Sequence, residues 1–390
     1  MEQNAAREMV QEIMTEFAQL TGLADGPPPR RYLWTDAFAV CNFLELYRQT
    51  GEERYKQLAL RLVDQVHHVL GRYRADDPRT GWISGLAEPK GERHPTPGGL
   101  RIGKSLNERK SDEPFDERLE WDRDGKYYHY LTKWMYALNR VSQATGEATY
   151  HRWAIELAKT AHASFTYRPS SGGRKRMVWK MSIDLSYPLV RSMGQHDPLD
   201  GLITYQRLQA TTPKEAEHPT WPDLRAEMTD LAGICAGKNW ATDDPLGLGG
   251  LLADAYKLAQ LIAHHSLQQF DLLETLLDAS LVGLQAYAGQ DALQLPVDFR
   301  LAFRELGLSI GLRAVERLQI LIKENPGLFE ARVHLHSRLE AFRPYTPLAE
   351  SIEAFWLKRS HREAESWLAH REINMVMLVT SLDPDGYLRL

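Results

Sequence analysis

Two carboxylates and an imidazole stand where three helices are expected to begin. Asp36 lies in Trp34-Thr35-Asp36-Ala37-Phe38, Asp184 in Trp179-Lys180-Met181-Ser182-Ile183-Asp184, and His129 in Lys126-Tyr127-Tyr128-His129. Two carboxylates in different surroundings can divide acid and base work, one giving a proton while the other activates water or attacks. A histidine titrates close to neutrality and can move a proton itself. Each residue also has a plainer reading. A carboxylate in a first helical turn satisfies free N–H groups and the helix dipole, and a single helical histidine is more often a hydrogen-bonded core residue.

Aromatic residues gather around these positions. Trp34 and Trp179 flank the two carboxylates, and Trp82, Trp121 and Trp240 fall in or beside expected loops, where a core explanation is weaker. The stretch from Glu117 to His129 is the densest in polar and aromatic side chains. Within it Arg118 is suited to clamp a carboxylate, Asp122 and Tyr128 are suited to hydrogen-bond a ligand, and Asp124-Gly125 is a turn signal. Asp243 follows Trp240 just before Pro245. The expected set is therefore Asp36, His129 and Asp184 for chemistry, with Trp34, Trp82, Arg118, Trp121, Asp122, Tyr128, Trp179, Trp240 and Asp243 for binding. Gly98-Gly99-Leu100-Arg101-Ile102-Gly103-Lys104 lacks the spacing of a phosphate loop. His67-His68, His264-His265 and His334-x-His336 lack partners at metal spacing. No metal and no cofactor are expected.

What positions these residues is a sentence written twice. Thr50-Gly51-Glu52 leads to Tyr55, Ala59, Leu62 and His67; ninety-five residues later Thr145-Gly146-Glu147 leads to Tyr150, Ala154, Leu157 and His162. Glycine ends one helix without a left-handed penalty, glutamate favours the next helix start, and the apolar stripe packs the pair. Such repeats mark an array of helical hairpins. Helices are predicted at 32–49, 52–70, 126–144, 147–165, 181–193 and 198–211, with more to residue 380, and strand-like alternation is almost absent. Short turns alternate with long polar connections, so the long-loop face is the expected functional face. Gly194 falls where the next short turn is due. That puts His196 and Asp197 on the opposite face, as a structural turn.

The chain has 390 residues, 47 Lys and Arg against 52 Asp and Glu, and a net charge of −5. That balance gives no footprint for nucleic acid and no strong pull to an anionic membrane. No apolar run is long enough to span a bilayer. Residues 1–25 read as an amphipathic helix packed on a single domain at 30–390, with a long loop at 71–125 folding over the site. Cys41 and Cys235 are too sparse for a disulfide framework, and the cytoplasm is the expected compartment.

Tyr32-Leu33-Trp34-x-Asp36-Ala37-Phe38 at the first hairpin, with the repeated Thr-Gly-x-x-x-Tyr turns, resembles the six-hairpin, (α/α)6-barrel superfamily over residues 30–380. The group includes glycoside hydrolases, unsaturated glucuronyl hydrolases and N-acylglucosamine 2-epimerases. The resemblance implies an all-α barrel of helical hairpins acting on a small carbohydrate or related polar ligand. It does not select one family or an oligomeric state. The leading reading is hydrolysis of a glycosidic bond by the Asp36 and Asp184 pair. The alternatives are a sugar epimerase or isomerase using His129, and a non-catalytic helical array that binds a ligand or a protein.

Overall fold

The computed structural model describes residues 2–24, 28–212, 221–330 and 332–390, with the side chains of 2–6 and 333 set aside. Gly26 and Pro27, the start of the Gly26-Pro27-Pro28-Pro29 run expected as a stiff connector, and Pro219, expected just before a helix start, lie outside the described residues. The fold is all-α, built from helical hairpins, and the chain divides into two compact units: Ala18–Ala236, and Met1–Phe17 with Gly237–Leu390. Helix α1 (Glu2–Leu20) opens the chain.

In the Ala18–Ala236 unit the two copies of the repeat fold alike. Helix α2 (Leu33–Thr50) turns at Gly51 (φ 70°) into α3 (Glu53–Leu70). After the short α4 (Glu88–Arg93) and α5 (Glu117–Asp122), α6 (Tyr128–Thr145) turns at Gly146 (φ 75°) into α7 (Ala148–Phe165). In both turns the threonine hydroxyl accepts the glutamate N–H at 3.1 Å and donates to a carbonyl one helical turn back, which explains the whole Thr-Gly-Glu sequence. A side chain added at either glycine would meet nothing, so the positive φ alone calls for glycine. Ala59, Leu62, Ala154 and Leu157 are fully buried, as a hairpin-facing stripe must be.

Residues 166–190 depart from the expected helix. The hairpin β2 (Thr166–Tyr167) and β3 (Arg176–Met177) stands apart from a small antiparallel sheet in which β4 (Lys180–Met181) lies between β1 (Lys126–Tyr127) and β5 (Pro188–Val190). The predicted helix at 181–193 does not form because Asp184 folds its own backbone into a turn. Its carboxylate accepts from the Ser182 and Ser186 hydroxyls and the Ser186 N–H, Leu185 takes φ 63°, and Pro188 follows. The next helices are α8 (Asp197–Ala210) and α9 (Arg225–Cys235). They sit against the second hairpin at one constant offset. Thr132 and Asp200, Asn139 and Arg207, Lys159 and Glu227, and His162 and Asp230 are all side-chain pairs sixty-eight residues apart. Thus α8 runs parallel to α6, and α9 to α7.

The other unit holds α10 (Pro245–His265), α11 (Phe270–Ala288), α12 (Ala302–Glu324), α13 (Pro326–Phe329), α14 (Val333–Ala341), α15 (Pro347–Leu357), α16 (Arg359–Arg362), α17 (Glu365–Leu368), α18 (Arg371–Leu382) and α19 (Asp385–Leu388). Its centre is a backbone-to-backbone contact of α10 with α12. A Cβ on Gly249 would lie 1.9 Å from the Gly307 carbonyl oxygen, so only glycine permits that approach. Beside it, Glu353 accepts from Ser309, Ser381 and Arg313, which leaves its buried charge paired. Among the described residues no helix is long and apolar enough to cross a membrane.

Candidate functional site

The starts of α2 and α6 are drawn together by the long loop. The Leu33 N–H donates to the Ile102 carbonyl, and the Ile102 N–H donates to the Gly125 carbonyl. Asp124 beneath them is fully buried, paired with Arg101 and accepting the N–H groups of Gly103 and Gly125, the turn role its sequence suggests. The Tyr128 N–H donates to the Trp179 carbonyl, so the small sheet fixes the start of α6.

His129 is the centre of an aromatic cluster built on that frame. Its ring lies nearly parallel to Tyr127 (5.4 Å between centroids) and to Trp179 (6.2 Å, 13°), with the edges of Trp34 (6.0 Å) and Tyr130 (4.9 Å) against it. Trp121, half exposed, meets Trp179 edge to face at 5.4 Å. It is held there because buried Lys180 donates to the Glu120 carbonyl and carboxylate and to the Arg123 carbonyl, clamping α5 to β4. Tyr32 and Tyr130 share a hydrogen bond between their hydroxyls at 2.7 Å, and burial pushes the Tyr32 phenol up to about 12. Lys104 lies over the Tyr32 ring at 5.7 Å, and burial holds its ammonium below the ordinary lysine range.

The partner of His129 is Asp197. His129 Nδ1 is 3.5 Å from Asp197 Oδ1, within ion-pair reach and longer than a well-made hydrogen bond. His129 Nδ1 and Asp197 Oδ2 are both buried with no hydrogen-bond partner, as is Trp34 Nε1. The His129 side chain remains 24% exposed, so with Nδ1 buried it is the remainder of the ring that solvent reaches. Asp197 is the first residue of α8. A Cβ on Gly194 would lie 2.5 Å from its carboxyl carbon, so glycine there gives the carboxylate room. One turn along, Asp200 is held by Thr132 and by Lys133 at 2.6 Å, which fixes α8 against α6 below the site.

This reverses the reading of the Gly194–Asp197 segment. Because residues 166–190 form strands and turns instead of a helix, α8 pairs with α6, and Asp197 comes to the same end as His129. The signal that could have found it is Asp197-Pro198, since proline in a first helical turn marks a helix start.

The two expected catalytic carboxylates have separate surroundings. Asp36 is buried, 3.3 Å from Arg31, and accepts the Tyr32 N–H at 2.9 Å, so it caps α2; burial, opposed by Arg31, raises its carboxyl to about 6. Asp184 lies in its turn, 3.0 Å from Arg79. Burial pushes its carboxyl up, but the Ser186 and Ser182 bonds and Arg79 outweigh this and hold it below the usual carboxylate range. It belongs to a turn between strands and not to a helix start. Of the expected binding residues, Trp34, Trp121 and Trp179 join His129. Asp122 and Arg118 are both exposed on α5. Tyr128 is fully buried with its hydroxyl against Gly201, and Trp82 is buried with its indole N–H on Glu88. Tyr128 is a packing residue. Trp240 and Asp243 belong to the other unit, Trp240 buried and Asp243 accepting from Gln290. Among the described residues no group of three or more metal-binding side chains converges.

No protein-family model matches the chain, and no curated protein sequence matches it. Solved structures that it is similar to include the cellobiose 2-epimerase from Spirochaeta thermophila DSM 6192, at 15% identity over 97% of this chain and 98% of that one, with a TM-score of 0.47. Another is a sugar epimerase from a ruminal bacterium, at 10% identity over 81% of this chain and 76% of that one, with a TM-score of 0.43.

Proposed function

We propose that the chain is a sugar epimerase or isomerase in which His129 takes the proton from the carbon beside a sugar carbonyl. The observation that carries this reading is the pairing of His129 Nδ1 with the Asp197 carboxylate inside an aromatic cluster. A carboxylate at Nδ1 fixes the tautomer, leaves Nε2 as the base, and stabilises the imidazolium that forms. The 3.5 Å separation suits a contact that tightens when substrate settles. Trp179 and the half-exposed Trp121 offer aromatic surface for the apolar side of a sugar, with buried Trp34 and Tyr127 backing the cluster, and the Tyr32–Tyr130 hydroxyl pair offers donors for its oxygens. Return of the proton by His129 to the neighbouring carbon on the same face, with the hydroxyl proton passing to the former carbonyl oxygen, gives isomerisation. Epimerisation needs in addition a second acid that protonates the same carbon from the opposite face while His129 keeps the proton it took.

The paired-carboxylate hydrolase is the weaker reading. Asp36 is buried with its oxygens engaged by Arg31 and Tyr32, and Asp184 is committed to its own turn. Neither leaves a carboxyl oriented by the other.

The test is proton exchange. The protein is incubated with a panel of aldoses and reducing disaccharides in D2O and followed by NMR. We expect deuterium at the carbon beside the carbonyl, with a new epimer or ketose, and loss of both in His129→Gln. Release of reducing ends from glycosides without exchange, surviving in His129→Gln, would overturn the assignment.

A further inference from the structure

A cavity of about 90 Å³ opens between α3 and α7 beneath the loop that carries Trp82 and Pro95. It is built from residues other than those around His129. Tyr150 and Trp153 of α7 meet edge to face at 5.2 Å, and Trp153 stands against His67 at 5.0 Å. Trp82 closes another side. The remaining polar lining is Asp64, His68 and Glu92, and neither lysine nor arginine lines the cavity.

Aromatic faces and carboxylates around a small space form the chemistry that holds an organic cation. A π face attracts a cation through its quadrupole, and a carboxylate adds long-range attraction without needing a donor on the ligand. This corner already uses that chemistry within the protein. The Arg72 guanidinium lies over the Trp82 ring at 4.3 Å while bonding Glu88 and Glu92, and His68 bridges Asp64 at 3.2 Å and Glu92 at 3.0 Å. Of the lining groups, the two carboxylates Asp64 and Glu92 face one titratable partner, His68, while Arg72 lies outside the lining and is shared between Glu92 and Glu88. Trp153 is anchored by its indole N–H on the Arg93 carbonyl at 2.8 Å, so its ring is positioned before any ligand arrives.

We infer that this cavity binds a small organic cation of the alkylated ammonium class, held by Tyr150 and Trp153 with Asp64 and Glu92 supplying the charge. The site is independent of the sugar reading, and its test does not use turnover.

The experiment is calorimetric titration of the full chain with choline and, in parallel, with 3,3-dimethylbutan-1-ol, its uncharged isostere, and with glucose. Binding of choline with no detectable binding of the isostere supports the cation site. Replacing Trp153→Leu or Tyr150→Leu should then weaken choline by roughly 2- to 30-fold, the range of one cation–π contact. Asp64→Asn should weaken it further at low salt. Equal binding of choline and the isostere would overturn the proposal in favour of an apolar pocket, and binding of glucose alone would make it a sugar subsite. Absence of any choline binding to the unaltered chain would also overturn it, and that arm does not depend on a variant folding.

Discussion

The starts of α2 and α6 are the same position of the repeat, used in two ways. The ninety-five-residue offset sets Tyr32 against Tyr127, Trp34 against His129, and Asp36 against Leu131. In the first copy the helix end is closed by its own side chain: Asp36 accepts the Tyr32 N–H and is itself paired with Arg31. In the second copy Leu131 offers no acceptor. There the backbone is fixed from outside, by β1 pairing with β4 and by the Tyr128 N–H on the Trp179 carbonyl. The first arrangement spends its carboxylate on stability. The second leaves the equivalent of Trp34 free to be an imidazole, with its carboxylate, Asp197, delivered by another helix. One backbone slot therefore holds a buried indole in one copy and a carboxylate-paired imidazole in the other.

The largest expected difference between the copies is in acid stability. Burial lowers His67 to about 3, and it accepts the Trp134 indole N–H while neutral. A folded value below the unfolded one means stability is full above about pH 6.5 and falls as pH drops toward 3. At roughly 1.4 kcal/mol per tenfold change in proton affinity, this amounts to on the order of 5 kcal/mol. His67→Gln, which keeps an acceptor, should flatten the decline in urea midpoint between pH 6.5 and 3. Its counterpart His162 is also lowered by burial, but Asp230 opposes the shift, so His162→Gln should flatten the curve less. Equal flattening would remove this distinction.

Next come the two carboxylates. Asp36→Ala removes the cap and leaves the buried Arg31 with the Thr21 carbonyl but without its carboxylate, which should cost about 3–5 kcal/mol, read as a drop in thermal midpoint. Asp197→Asn should leave that midpoint nearly unchanged and lower kcat roughly 10- to 100-fold, about 1.4–2.8 kcal/mol in the barrier. If Asp197→Asn instead destabilised the chain and left exchange intact, the contrast between capping and orienting would fail.

The smallest effect should be shared. Gly51→Ala and Gly146→Ala each force a left-handed alanine into open space, a loss of about 1–2 kcal/mol in either copy. Unequal losses would mean that the two turns are not the same structural unit.

The hairpins were legible because their signals are local. Thr-Gly-Glu carries its own turn chemistry, and the Ala and Leu stripe carries its own periodicity. His129, Trp34 and Trp179 stand out for similar reasons, as aromatic and titratable residues beside expected helix starts, and Trp121 as an indole in an expected loop. Asp197 was hidden because its place depends on how many hairpins precede it. The Ser182–Ser186 turn, which decides that count, is a contest between side-chain and helical hydrogen bonds that periodicity does not register. Asp36 shows a related limit: a carboxylate in a first turn is the same residue type whether it faces a ligand or its own N–H groups.

Tyr127 stands on β1 and Trp179 immediately before β4, and this governs how the aromatic cluster moves. Tyr127 lies opposite Lys180 in the β1–β4 ladder, immediately beside Trp179, and the two rings are 4.8 Å apart. Their separation is set by the spacing of hydrogen-bonded backbones and not by two independent side-chain rotations. Parting them requires breaking the ladder, so the cluster opens as a cooperative unit and not ring by ring. Amide hydrogen exchange across Tyr127, Tyr128 and Lys180 should therefore report a single opening event, and a ligand stacked on these rings should slow all three amides by the same factor.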